Sequence, residues 1–249
     1  MDMRLDRYLA DAGIGTRSEV KKLIYWKKVT VNGETVDDPA YRLSETSLVC
    51  FKGEPVQYSE FEYWMLNKPA GVVSESRKNS LKRGEKIPEG EERTVVDLIR
   101  GSMKKDLFPA GRLDKDTEGL LLITNDGKLS HRLLSPAKHV EKTYYAELSG
   151  PLTEEATERL EAGADIGDER PTRPCRIDRI RKDAVHITIT EGRYHQIKRM
   201  FETEGLTVTY LRRITFGPLS LDETLKPGES RMLTGEEVRS LTEEQENGK

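Results

Sequence analysis

An arginine, a lysine and three carboxylates crowd into a glycine-punctuated stretch, Phe-Pro-Ala-Gly-Arg-Leu-Asp-Lys-Asp-Thr-Glu-Gly, at residues 108–119. Asp114 and Asp116 lie two positions apart, just before the apolar run Leu120–Ile123, which is expected to be a buried strand. A carboxylate on such a loop can serve as a nucleophile or a proton acceptor. Alone, the stretch is only a polar loop: either Asp could face a cavity while the other makes a loop or cap hydrogen bond. A second polar-rich stretch, Glu-Gly-Arg-Tyr-His-Gln-Ile-Lys-Arg-Met-Phe at 191–201, reads as strand, turn and helix start. The four histidines (His131, His139, His186, His195) are scattered, and none meets another His or a Cys at metal-ligand spacing.

The elements that must position these residues are legible in outline. Residues 61–66 form an aromatic-apolar strand running into Asn67-Lys68-Pro69-Ala70-Gly71, where Pro69 ends regular pairing and Gly71 frees a turn. Leu120–Thr124 is followed by a turn at 125–127 and a short helix carrying Leu129, Leu133 and Leu134. Residues 141–148 have a strand-like centre, and Thr153 caps a helix that buries Ala156 and Leu160. Residues 185–190 alternate strictly, as a half-buried strand does. Residues 208–214 form another strand, and Thr234–Glu237 is a capping box for the last helix. Tyr144 and Tyr145 point to opposite faces of their strand, with Tyr145 expected in the core. Residues 74–94, rich in Ser, Lys, Arg, Gly and Glu, read as a long exposed loop whose basic half, 77–83, could touch nucleic acid.

The N-terminal part has a different grain. Helical spacing over residues 4–12, a capping box at Thr16-Arg17-Ser18-Glu19 and a hairpin turning at Asn32-Gly33 make a compact unit of about sixty residues. Residues 1–28 hold seven Lys/Arg against four acids, and Arg17, Lys21 and Lys28 are expected to share one helical face. Over all 249 residues the net charge is only −3, so any attraction for nucleic acid must be local. Apolar residues make up 35% of the chain and are spread in short periodic runs, which argues against wholesale disorder. Two cysteines far apart do not make a disulfide scaffold, and the polar N-terminus lacks an apolar signal core, so a cytoplasmic protein is expected.

Three segments in order, Arg-Leu-Asp-Arg-Tyr-Leu, Thr-Arg-Ser-Glu and Val-Thr-Val-Asn-Gly, resemble the S4 RNA-binding domain. That resemblance implies that Arg4, Arg7, Arg17, Lys21 and Lys28 lie on RNA phosphates. Asn-Lys-Pro-x-Gly, Gly-Arg-Leu-Asp, Lys-x-Tyr and the 191–201 stretch together resemble the pseudouridine synthases, and Arg-Tyr-His-Gln points to the RsuA branch, which acts on the small ribosomal subunit. The expected organisation is an S4-like αα-β module at 1–58 and an α+β synthase domain, with a large, mostly antiparallel sheet, at 59–245.

The synthase resemblance implies that Asp114 is the catalytic carboxylate and Lys198 the cation that keeps it ionised. It also implies that Tyr144 stacks on the uracil and takes the C5 proton, that Ile197 packs near the base, and that Asn67-Lys68-Pro69 is mainly structural. Arg112 would fill the space left by a flipped base or hold a flanking phosphate. His195 and Gln196 would contact substrate or satisfy backbone groups at the helix start. No metal or cofactor is required for this isomerisation. The implied partner is ribosomal RNA of the small subunit, free or as an assembly intermediate, with the protein a monomer and the target uridine 516 of 16S rRNA. A large-subunit rRNA synthase of the same family and a non-catalytic ribosome-assembly factor are the alternatives.

Overall fold

The chain divides into two units, Met1–Glu62 with Gly101–Lys105, and Tyr63–Arg100 with Asp106–Lys249. The computed structural model describes residues 3–56, 58–76, 90, 92–102 and 106–243; the basic stretch 77–83 lies outside the described residues.

In the first unit, β1 (Met3–Arg4) leads into α1 (Leu5–Asp11), and α2 (Arg17–Tyr25) follows. The capping box forms as expected: Glu19 N donates to Thr16 Oγ1 at 3.3 Å, and Thr16 N donates to Glu19 Oε2 at 2.8 Å. Strands β2 (Val29–Val31) and β3 (Glu34–Thr35) form a hairpin whose turn residues Asn32 (φ 53) and Gly33 (φ 87) have the positive angles of a type I′ turn. After β4 (Arg42–Leu43), which pairs with β1, come β5 (Val49–Phe51) and β6 (Glu54–Pro55), giving a four-stranded sheet in the order β3-β2-β5-β6. Leu5, Leu9, Val20, Ile24, Val29, Val31, Leu43 and Val49 close one small core.

One expectation fails here: Lys28 does not share a helical face with Arg17 and Lys21. Helix α2 stops at Tyr25, Lys27 turns left-handed (φ 56), and the amides of Lys27 and Lys28 donate to Ile24 O and Leu23 O. This is a Schellman end with lysine where glycine is usual.

The second unit is built on β7 (Tyr63–Lys68), β8 (Phe108–Pro109), β9 (Glu118–Thr124), α3 (Gly127–Leu134), β10 (Lys142–Leu148), α4 (Glu154–Ala162), β11 (Arg176–Arg181), β12 (Ala184–Ile189), α5 (Gln196–Glu202), β13 (Val208–Phe216), β14 (Leu219–Ser220), β15 (Ser230–Met232) and α6 (Gly235–Glu243). Its sheet runs β11-β12-β10-β13-β9-β7-β15, with β8 on β9 and β14 on β13. Every pairing is antiparallel except β9 with β13. That parallel contact is close. At Gly119 (φ +99) any Cβ would collide with the backbone of Arg213 on the neighbouring strand, so only glycine fits.

Burial explains the sequence pattern. Leu121 and Ile123 enter one core and Leu120 and Leu122 another, because β9 is covered on both faces and therefore reads as a continuous apolar run. Strand β10 is fully buried only at alternate positions. This overturns the placement of Tyr145 in the core. Tyr144 is the buried member, whereas Tyr145 sits half-buried on the other face, its hydroxyl donating to Glu147 Oε1 at 2.7 Å. A phenol with a carboxylate two residues along the same face is satisfied without burial.

Strand β11 was not foreseen. Its sequence, Arg-Ile-Asp-Arg-Ile-Arg, buries only Ile177, as suits a charged edge strand. Asp126, expected in a plain turn, is the N-cap of α3 and accepts from Leu129 N at 3.0 Å.

Candidate active site

The Asp114 loop joins β8 to β9 and is pinned at both ends. Leu113 and Thr117 are buried, and Asp114, with 28% of its side chain exposed, projects between them. Ser74, itself buried, donates from Oγ to Leu113 O at 2.7 Å and accepts from Leu113 N at 3.1 Å. Lys68, at the end of β7, is 0% exposed. Its Nζ donates to Pro69 O (3.1 Å), Lys115 O (3.1 Å) and Thr117 O (2.8 Å). Gly71 N donates to Lys115 O at 2.7 Å. These bonds tie the backbone on either side of Asp114 without using its carboxylate. Ser74 was missed from the sequence, where nothing distinguishes it from the exposed residues that follow. Lys68 was read only as part of a structural motif; a lysine inside an otherwise apolar strand was the available signal.

Burial pushes the Lys68 ammonium down to about 8, although Asp116, Glu118 and Asp114 partly resist. A lysine whose folded value lies below its ordinary 10.5 binds fewer protons folded than unfolded between those two pH values. Its penalty is therefore fully present below about pH 8 and is relieved as the pH rises. Wild-type stability is expected to increase between about pH 8 and 10, and Lys68→Met should reduce that slope. Denaturant melts across this range check it; an unchanged slope would mean that Lys68 is not buried as a cation.

Lys198 reaches the loop from α5. Its Nζ lies 2.6 and 2.9 Å from the two oxygens of Asp116 and 3.3 Å from Asp114 Oδ2. Burial alone would lower the Lys198 ammonium, but the hydrogen bond to Asp116 and the Asp114 charge outweigh it and hold it above its ordinary value. The hydrogen bond from Lys198 in turn keeps Asp116 below the usual carboxylate range. The sequence treated Asp116 as a rival of Asp114; in the fold both face one ammonium. Asp116 is the closer partner and the more exposed, at 73% of its side chain.

The turn before α5 brings His195 Nε2 within 3.6 Å of Asp114 Oδ1. His195 is left-handed (φ 49), and its ring stacks on Tyr194 at 3.8 Å between centroids. Tyr194, 75% exposed, was not singled out from the sequence. Gln196 is buried and braces the turn: its Oε1 accepts from Arg193 N at 3.0 Å and its Nε2 donates to Glu191 Oε1 at 3.1 Å. Of the two roles left open for Gln196, the backbone-satisfying one is visible here.

These groups line a cleft of about 660 Å³ lying wholly in the second unit. Tyr144, Ile197, Ile189, Leu211 and Leu113 give it an apolar floor, and the exposed Arg112 stands on the loop that borders it. Asp114, Tyr144, Lys198, Arg112, Ile197, His195 and Gln196 all line this one cavity. Its lining combines apolar side chains with a carboxylate, a shared ammonium and an imidazole.

The five basic residues of the first unit are not equivalent. Arg4 makes a two-pronged pair with Asp6 (3.0 and 2.9 Å), and Arg7 pairs with Asp11 at 3.3 Å. Arg17 and Lys21 lie one turn apart on α2, and they and Lys28 are exposed. Beside them, Tyr25 (63% exposed) and Trp26 (64%) are uncovered aromatics that the sequence reading passed over.

Residues 62–203 match the RNA pseudouridylate synthase family and residues 3–49 match the S4 domain, so the chain belongs to the pseudouridine synthases and is an isomerase of that class. It is of the RsuA type. It is 41% identical to ribosomal small subunit pseudouridine synthase A of Vibrio cholerae, over 96% of this chain and 99% of that protein. It is 44% identical to the uncharacterized RNA pseudouridine synthase YtzG of Bacillus subtilis, over 98% of this chain and 100% of that protein. A solved pseudouridylate synthase, 36% identical, superposes with a TM-score of 0.65 over 96% of this chain and 99% of its own.

Proposed function

We propose that this protein converts one uridine of small-subunit ribosomal RNA, uridine 516 of 16S rRNA, to pseudouridine, with Asp114 as the catalytic carboxylate. The observation that carries this is the convergence of Asp114, Lys198 and His195 over the Tyr144–Ile197 floor. The full-length likeness to small-subunit synthases supports the choice of RNA.

The uridine leaves its stack and enters the cleft, with Arg112 at the rim holding the space or a flanking phosphate. Its base lies against Tyr144 and Ile197. The C1′–N1 bond breaks and its electron pair stays on N1. The Asp114 carboxylate either bonds to the electron-deficient C1′ or removes the 2′ proton. The base turns within the cavity, and C5 supplies the pair for the new bond to C1′ as the Asp114–C1′ bond breaks or Asp114 returns its proton to C2′; Tyr144 takes the proton released from C5. A proton on N1 completes an isomer of unchanged mass. Lys198, 3.3 Å from Asp114, sets a positive charge against the carboxylate throughout.

The test is incubation with small-subunit rRNA, free and partly assembled, followed by pseudouridine mapping with Asp114→Ala as control. One new pseudouridine at position 516, absent with the variant, is expected. A new site in large-subunit rRNA would move the target, and no modification on any substrate would leave an RNA-binding assembly factor.

For the first unit, Arg17→Gln with Lys21→Gln is expected to weaken RNA binding. The slope of log affinity against log salt should become shallower by roughly 0.7 to 0.9 for each phosphate that is no longer neutralised. Filter binding across a salt series checks this; an unchanged slope would take α2 off the RNA. Arg4 and Arg7, already paired, should contribute less.

A further inference from the structure

Two cations are buried in the floor of the cleft. Arg213 is 2% exposed; its Nε donates to Leu120 O at 2.7 Å, while its Nη2 is buried without a hydrogen-bond partner. Lys142, 8% exposed, donates to Val140 O at 2.8 Å, and an ammonium has further N–H groups to offer. Neither forms an ion pair among the described residues, and both line the cavity. They are neighbours: the Lys142 ammonium and the Arg213 guanidinium lie 5.7 and 5.0 Å from the centroid of the same ring, Phe216. Tyr144 stands opposite Arg213 in the ladder, and the guanidinium lies 6.0 Å from its ring centroid.

A buried cation without a partner is costly. Burial, reinforced by the Arg213 charge and only partly offset by Glu191, brings the Lys142 ammonium down to about 8. Arg213 pairs with Gly119 of β9 on one side and Tyr144 of β10 on the other, which sets its backbone between two strands. Negative charge delivered by a ligand would relieve both. A permanently charged phosphate suits this place poorly, because it would be stripped of water against an apolar floor. A neutral base that becomes an anion only after it has entered suits it well.

On the reading of the chain as a pseudouridine synthase with the base on Tyr144, we propose that Lys142 and Arg213 form an anion hole for the detached pyrimidine. They would take the charge that spreads over its 2- and 4-oxygens when N1 keeps the electron pair of the broken bond. The step is the same whether Asp114 bonds to C1′ or takes the 2′ proton, since in both the pair ends on the base. The charge is returned when C5 attacks C1′.

The probe is 5-nitrouracil, a uracil whose ring N–H is acidified by the nitro group and whose absorbance changes on ionisation. Bound to the full-length wild-type protein, it is expected to ionise about one pH unit lower than in free solution, a roughly tenfold preference for the anion. Lys142→Gln and Arg213→Gln should remove most of that shift, and Arg213→Lys should retain part of it. Lys142→Gln should also slow single-turnover pseudouridine formation at unchanged RNA affinity. If Arg213→Gln does not fold, Lys142→Gln and Arg213→Lys carry the test. Absence of binding, ionisation as in free solution, or an equal shift in wild type and Lys142→Gln would each overturn the anion hole. A wild-type protein that shifts the probe but modifies no rRNA would remove the synthase reading and leave the anion seat. Pseudouridine formation without any shift would do the reverse.

Discussion

Asp114→Asn is expected to lower pseudouridine formation by at least ~10⁴-fold, with RNA affinity within about threefold of wild type. Asparagine keeps the size and shape of the side chain but can neither bond to C1′ as a carboxylate nor accept a proton from the sugar. The backbone that presents it should not move, because the loop is held by Ser74 on Leu113 and by Lys68 on Lys115 and Thr117. RNA affinity rests largely on phosphate contacts elsewhere, so the loss should fall on turnover. Asp116→Asn is the control that gives the measurement its meaning. Its side chain is 73% exposed against 28% for Asp114, and its visible task is to hold Lys198. It should lose only about tenfold, in the range of one charge-assisted hydrogen bond. Single-turnover kinetics on both variants, with thermal melts to confirm folding, decide the matter. If Asp116→Asn is the inactive variant, the two carboxylates exchange roles.

Local chemistry was legible from the sequence where it is set by neighbours along the chain. The Thr16–Glu19 capping box, the Asn32-Gly33 turn and the buried run Leu120–Ile123 each depend on a few adjacent residues, and each is found as read. The gathering of Asp114, Tyr144 and Lys198 in one cleft was expected only from family resemblance. No periodicity links a loop at 114 to a helix residue at 198. What stayed hidden depends on which strand lies beside which. The parallel contact of β9 with β13 makes Gly119 obligatory and brings Arg213 into the floor, and neither follows from the residues around 213. Lys68 and Ser74 acquire their task only when β7 and the segment that follows it are laid against the Asp114 loop. Tyr145 was misplaced because alternation says that two neighbours differ in face but not which face is covered. Lys28 was misplaced because a left-handed lysine ended α2 where no glycine announced it.

Lys198→Met is expected to lower turnover by ~10²–10³-fold, the usual cost of removing one fixed electrostatic partner from a reacting group. Lys198 stands between two carboxylates, 2.6 Å from Asp116 and 3.3 Å from Asp114. Without the ammonium the two carboxylates face each other with no cation between them. Asp116, which the hydrogen bond from Lys198 holds below the usual carboxylate range, should rise towards that range in Lys198→Met, and an NMR titration of its carboxyl reads the change. A second substitution separates repulsion from simple loss of packing. Lys198→Met with Asp116→Asn removes the repulsion along with the cation, so it should regain part of the rate that Lys198→Met loses. Lys198→Arg, which keeps the charge on a bulkier and more rigid head, should lose less rate than Lys198→Met. Full activity in Lys198→Met would take the lysine out of the machinery and leave His195, 3.6 Å from Asp114, as the basic group beside that carboxylate.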